Sequence, residues 1–346
     1  MRKIFNFISI ALLITAVSCN KDILNPATED QVGVPMTLTL TIGEPETRVA
    51  TTDDELAKKL SFAWEAGDKV SVVSLNGGGS LIANDIFTTA AGGTTATFSG
   101  TFTGGEAAKV VVFYPALTES YVEAETTKWR VPRENGYSGS TSGILEGLSS
   151  TYISIRDWAY SLQTALDSPS HLKNYRILRG EADIDDIKTG NLTVNLEHMT
   201  TVFKVKLTLP SDGLTLTRAS ITMKKADDGY LNNVGQGWGW LGQLKSYSVG
   251  GSTNHADICL GSKVESGTGT GLTAVGNTAT VYIPFTLKLA DKIGSGSEWL
   301  TMTAGQKFDL IVETTTGDYS QTLVFSADRD LKPGKLYTIN AAPTAP

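Results

Sequence analysis

The sequence predicts a mostly β protein: two β-sandwich domains of Greek-key topology in tandem, with one or two short helices. Three observations carry this. Runs of β-branched and aromatic residues recur along the chain, many alternating with period two. Glycine-rich breaks such as NGGG, AAGG and TGG separate them, as turns separate the short strands of sandwich and Greek-key folds. The chain has 346 residues, enough for two domains with full cores.

In chain order, the first segment is a targeting sequence rather than part of the fold. MRKIFNFISIALLITAVSCN has a basic start (Arg2, Lys3), an apolar stretch from Ile4 to Val17 and small residues before Cys19, the pattern of a secretory signal peptide. The apolar stretch is too short to span a bilayer. AVSC resembles the bacterial lipobox, which implies cleavage after residue 18 and lipidation of Cys19; the alternative is an ordinary secretory cysteine. Acyl chains on Cys19 would anchor the chain, since each buried methylene contributes about 0.8 kcal/mol. CNKD loosely resembles the short signal that sends Bacteroidales lipoproteins to the outer face of the outer membrane. Residues 19–35 then form a lipidated tether.

Loss of Arg2 and Lys3 leaves 27 basic residues against 36 acidic ones and moves the formal charge from −7 to −9. An acidic chain without a Lys/Arg cluster is a poor match to nucleic acid, whose affinity comes mainly from phosphate neutralisation. With Cys19 lipidated, Cys259 remains, so neither an intramolecular disulfide nor a cysteine-based metal site is expected.

The first folded domain is expected over residues 36–190. MTLTLTI begins it as an alternating strand with Met36, Leu38, Leu40 and Ile42 on one face and threonines on the other. GEPETRVATTDD comes next and is polar and exposed in character, with Arg48 followed by Val49. DDELAKKL is a candidate short helix. In FAWEAGDKVSVV, Gly67 and Asp68 set a turn, and Trp64 faces a core. TATFSGTF and KVVVFYPA are further strands, the second buried and ended by Pro115. SIRDWAYSLQTALD is the clearest candidate helix: Ile155, Trp158, Ala159, Leu162, Ala165 and Leu166 fall at helical spacing, behind a capping-box-like Ser154 and Asp157. The acidic cluster Asp183, Asp185 and Asp186 lacks the glycine and terminal glutamate of a calcium loop and reads as a solvated turn.

A second domain is expected over residues 191–346. NLTVNLEHMTTVFKVKLTL, LTLTRASITMK, TATVYIPFTLKL, KFDLIVETT and QTLVFSA supply its strands, and LKPGKLY turns at Pro333 and Gly334 into a last one. His198, at its opening, reads as a hydrogen-bonded histidine at the domain junction rather than a catalytic one. GYLNNVGQGWGWLGQLKSY places Trp238 and Trp240 two apart, with Tyr230 nearby. The pair reads either as cross-strand aromatic packing or, with Tyr230, as a stacking platform for sugar rings.

FAWEAGDKVSVV, TATFSGTF, KVVVFYPA, NLEHMTTVFKVKL and DLKPGKLYTIN, in this order, resemble the fimbrillin family, the type V pilins and related surface lipoproteins of Bacteroidales. The resemblance runs from about residue 36 to the end. It implies transthyretin-like sandwich domains and a fimbrial subunit or accessory adhesin at the cell outer membrane, surface-exposed or in a fimbrium. It also implies cleavage at Arg48–Val49 by an arginine-specific protease and loss of the strand carrying Met36, Leu38, Leu40 and Ile42. The groove so opened would receive a strand from another pilin subunit. TRVA resembles the family's cleavage loop, although Val49 stands where a smaller residue is commoner. The tail AAPTAP, with Pro343 and Pro346, is a poor strand donor, which favours a tip-like position over a stalk.

The expected partners are other pilin subunits, the outer membrane through lipid at Cys19, and a glycan or protein receptor. No cofactor or metal site is expected. Three scattered histidines, with no HExxH, nucleophile elbow or phosphate loop, give no basis for an enzyme. The alternative reading is a cell-surface glycan-binding lipoprotein outside any pilus, with Tyr230, Trp238 and Trp240 as its contacts.

Overall fold

The computed structural model describes residues 33–42, 57–59, 63–78, 81–117, 119–123, 126–130, 146–148, 152–156, 162–183, 191–231, 234–235, 238–243, 254–265, 267–287 and 300–346. The signal peptide, Cys19, Arg48, Val49, Asp185 and Asp186 lie outside these residues.

Its strands include β1 (Val34–Ile42), β2 (Ala57–Lys59), β3 (Lys69–Leu75), β4 (Leu81–Thr89), β5 (Thr95–Phe102) and β6 (Lys109–Tyr114). They continue with β7 (Leu178–Asp183), β8 (Asn191–His198), β9 (Thr200–Thr208), β10 (Thr215–Lys224) and β11 (His255–Leu260). The last four are β12 (Thr278–Leu287), β13 (Lys307–Thr314), β14 (Gly317–Val324) and β15 (Lys335–Ala341).

The first half departs from the expected sandwich. Seven strands close into a barrel in the order β1-β8-β7-β6-β3-β4-β5. Closure depends on β1, which pairs antiparallel with β5 (Leu38 opposite Phe98) and parallel with β8 (Leu38 opposite Leu192). A sheet whose first strand finds partners on both sides has no edge left to cover, so a second sheet is not needed to protect it. Gly100, opposite Met36, lets Phe87 pass: a Cβ there would lie 2.7 Å from the phenyl ring.

β3 and β6 are buried on both faces. Val70, Val72, Val110 and Val112 fill the barrel, while Val73, Leu75, Val111 and Phe113 belong to the core cluster that continues into the second half. Two-sided burial is why KVSVVSL and KVVVFY read as continuous apolar runs and not as alternating ones.

After His198 the chain leaves the barrel. One sheet runs β12-β9-β15-β2, with Val234–Gly235 beyond β12. Another runs β11-β10-β13-β14, with Leu162–Gln163 beyond β11. Phe203 and Phe285 from the first sheet and Ile221, Leu310 and Val312 from the second share one core cluster. Phe203 stacks on Phe285 with ring centroids 4.4 Å apart. A further sheet joins Trp238–Gln243, Tyr152–Arg156, Glu146–Leu148, Thr126–Arg130 and Glu119–Glu123.

Among the described residues neither expected helix appears. The start of SIRDWAYSLQTALD belongs to the strand Tyr152–Arg156, with Ser154 opposite Trp240, and Leu162–Gln163 pairs with Cys259 and Leu260. The helical spacing rests on a few apolar residues, and β-branched Ile153 and Ile155 satisfy their backbone groups in a sheet instead. DDELAKKL contributes β2, three residues laid antiparallel on β15 with Ala57 opposite Tyr337. Among the described residues the one helical element is a 3-10 turn at Ser170–Tyr175.

Candidate functional site

The candidate site is the slot that β1 fills. Met36, Leu38, Leu40 and Ile42 all point into the barrel, at 9%, 0%, 0% and 5% exposure. Their floor includes Val70, Phe87, Phe98, Val112, Leu178, Val194 and Leu196. The threonines face outward, and Thr41 Oγ1 meets Thr95 Oγ1 at 3.1 Å. Beyond the paired strands, Ile42 N–H donates to Thr94 O at 3.0 Å.

Burying each of the four apolar side chains contributes about 1.5–3 kcal/mol. Their sum is comparable to the whole stability of a small domain. An empty slot would expose that surface together with the unpaired main chains of β5 and β8.

Trp64 closes one end. Its ring is buried at 2% exposure and lies edge-on to Phe98 (4.9 Å) and Tyr114 (5.3 Å). Its backbone exchanges hydrogen bonds with Gly93 at 2.7 and 3.0 Å. Its indole N–H donates to Leu40 O at 3.3 Å.

Arg176 holds the other side of the ring. Its guanidinium sits 5.4 Å from the Trp64 centroid and 4.4 Å from Tyr114, donates to Ala63 O at 3.0 Å and reaches Asp68 Oδ2 at 3.4 Å. Tyr114 donates to Asp68 Oδ1 at 3.1 Å, and burial pushes its hydroxyl above the usual phenol range. Gly67, at φ 92°, makes the turn that brings Asp68 into this cluster. The sequence placed Trp64 on a core; that it also grips β1 depends on Gly93 and Arg176, which no local pattern announces.

The other expected residues fall elsewhere. Tyr230 is 58% exposed, bridges Lys224 at the end of β10 and lies 6.0 Å from the Lys224 ammonium. Trp238 and Trp240 are on a different sheet, opposite Arg156 and Ser154, and their side chains lie outside the described residues. Trp238 and Trp240 thus stand two apart on one strand, and Tyr230 bridges a different sheet. His198 is buried, and desolvation first, then the Arg176 charge, pushes its imidazole down to about 4. Among the described residues no three His, Cys, Asp or Glu side chains gather as a metal-ligand set.

No protein-family model matches the chain. No curated protein matches it either. Among solved structures, the chain is similar to a candidate cell adhesion protein from Bacteroides ovatus, with 13% identity over 90% of this chain and 92% of that one and a TM-score of 0.40. A candidate cell adhesion protein from Bacteroides eggerthii gives 13% identity, 91% and 88% coverage and a TM-score of 0.37. A fimbrial assembly protein from Parabacteroides distasonis gives 12%, 89%, 91% and 0.27. At such identities and TM-scores no function is transferred from them.

Proposed function

We propose that this chain is an adhesive or pilus-associated subunit of the bacterial cell surface, exported as a lipoprotein through Cys19, and that its working surface is the β1 slot. The observation that supports the reading is β1 itself. It is the N-terminal strand of the barrel, it has partners on both sides, and its four apolar side chains form one unbroken row. Once β1 is cut from the rest of the chain, an extended strand with apolar groups at the same period could take its place, gaining main-chain bonds from both rims and side-chain burial from the floor.

Separation would come from cleavage between Arg48 and Val49. β1 and β2 bracket that segment and are held in different sheets. A cut between them leaves β2 attached to β15 and frees β1 to be exchanged. Other pilin subunits are the proposed source of the incoming strand.

Limited digestion of the folded chain with an arginine-specific protease tests this, followed by N-terminal sequencing and addition of a labelled MTLTLTI peptide. The expected result is a first cut after Arg48 and peptide uptake by the cut protein only. A first cut elsewhere, or a cut protein that takes up no peptide, overturns the reading.

A further inference from the structure

The open edge of β14 carries a second interaction surface, independent of the β1 slot. β14 is the last strand of its sheet, paired along its whole length with β13. On its other side it meets one residue of the C-terminal segment: Ser320 and Thr344 exchange main-chain hydrogen bonds at 2.8 and 3.0 Å. In an antiparallel strand the residues that face one neighbour alternate with those that face the other. Ser320 therefore places Asp318, Thr322 and Val324 on the same open side.

The tail cannot serve those positions. Antiparallel register sets Pro346 against Asp318, and proline has no N–H to donate. Ala342 would stand against Thr322, but its N–H goes to Gln321 Oε1 at 2.6 Å. The tail thus covers the edge while laddering a single residue of it. The edge is also apolar on its inner side, where Tyr319, Leu323 and Phe325 are partly buried against the core, and polar on its outer side, apart from Val324 at 59% exposure. Long, flat, open edges of this kind invite another strand unless something guards them.

We propose that the β14 edge is a strand-addition surface for the β14 of a second copy of this chain, and that Ala342–Pro346 is the guard that must move aside. The occupant is set by the strand's own pattern. Antiparallel pairing about a two-fold axis at Gln321 sets Ser320 against Thr322, Asp318 against Val324 and Tyr319 against Leu323. Main-chain groups on the open side then meet their counterparts, no acid faces an acid, and the apolar inner face continues across the axis. Such a contact is isologous and closes at two copies.

The test uses the full chain carrying Gln321→Cys, which places a thiol on the proposed axis and removes the acceptor of the Ala342 N–H but leaves the Ser320–Thr344 main-chain pair in place, read as covalent dimer on a non-reducing gel. Adding Thr344→Pro, which removes the N–H that Ser320 accepts, should raise the dimer several-fold over Gln321→Cys alone. Deleting residues 342–346 should do the same. Adding Ser320→Pro removes an edge donor without touching the β13 side and should return the dimer to background, as set by the chain without Gln321→Cys. Dimer that does not rise when the guard is weakened, or that persists with Ser320→Pro, overturns the proposal.

Discussion

The indole N–H of Trp64 donates to the carbonyl oxygen of Leu40 at 3.3 Å. This bond joins β1 to a residue held from other parts of the fold, its backbone by Gly93 and its ring by Phe98, Tyr114 and Arg176. If β1 leaves, the ring keeps its supports and an N–H aimed into the slot. Trp64 is thus a latch for β1 and, under the proposed exchange, a fixed donor for the incoming strand.

Trp64→Phe should lose the hydrogen bond, worth about 1 kcal/mol, and add a cavity cost for the missing second ring. The loss should be local. Hydrogen exchange is expected to accelerate in β1 more than in β3 or β6, and equal acceleration in all three would refute the latch. Trp64→Ala, which also empties the corner, should cost about 3–5 kcal/mol in denaturant unfolding.

Alternation along β1 makes a second prediction. Leu38→Ala and Leu40→Ala each remove a side chain with no exposure and should destabilise by about 2–5 kcal/mol. Thr39→Ser, on the outer face, should fall within about 0.5 kcal/mol of the parent. The same order should govern exchange: a peptide with alanine at the Leu38 position should compete poorly with MTLTLTI, and one with serine at the Thr39 position should compete well.

Stability should fall on acidification because of His198. The unfolded imidazole titrates near 6.5, and the folded one has been pushed down to about 4 by burial and by Arg176. Between those values the unfolded chain binds the extra proton, so stability is full above about pH 6.5 and is lost progressively as the pH falls toward 4. The full effect is about 3 kcal/mol. His171, also lowered by burial, adds in the same direction. Urea midpoints at pH 7.5 and 5 should differ in this sense, and His198→Gln should flatten the slope; an unchanged slope would assign it to other groups.

The period-two pattern of Met36 to Ile42 is legible because one face is buried and the other is wet. That pattern cannot say whether the sheet closes. An inward-facing residue alternates identically in a sandwich and in a barrel, and closure rests on the long-range pairing of β1 with β8. The runs KVSVVSL and KVVVFY announce burial, but not that two separate cores share them. HADICL does not read as a strand because His255, Asp257 and Cys259 stand at alternate positions where a strand usually shows β-branched or aromatic side chains. Asp257 is nonetheless buried, held by Arg218, which also reaches Glu313. The expected Ser154–Asp167 helix fails for the converse reason: a periodic apolar set is present, but partner strands take its backbone at residues 154–156 and 162–163.

Cys259 yields the last prediction. Its thiol is buried with no exposure, donates to Gly267 O at 3.4 Å and stands beside Asp257. Burial, reinforced by the Asp257 carboxylate, pushes it up to about 12. The thiolate, which is the reactive form, is therefore scarce at neutral pH, and the sulfur is out of reach of a reagent as well. A maleimide should leave Cys259 unmodified in the folded chain and label it fully in denaturant. Asp257→Asn removes the negative neighbour but not the burial, so labelling of the folded variant should stay slow. Fast labelling of the folded parent would show that β11 opens without global unfolding. Fast labelling confined to Asp257→Asn would show that its ion pair with Arg218, and not the burial of the thiol, keeps this strand closed.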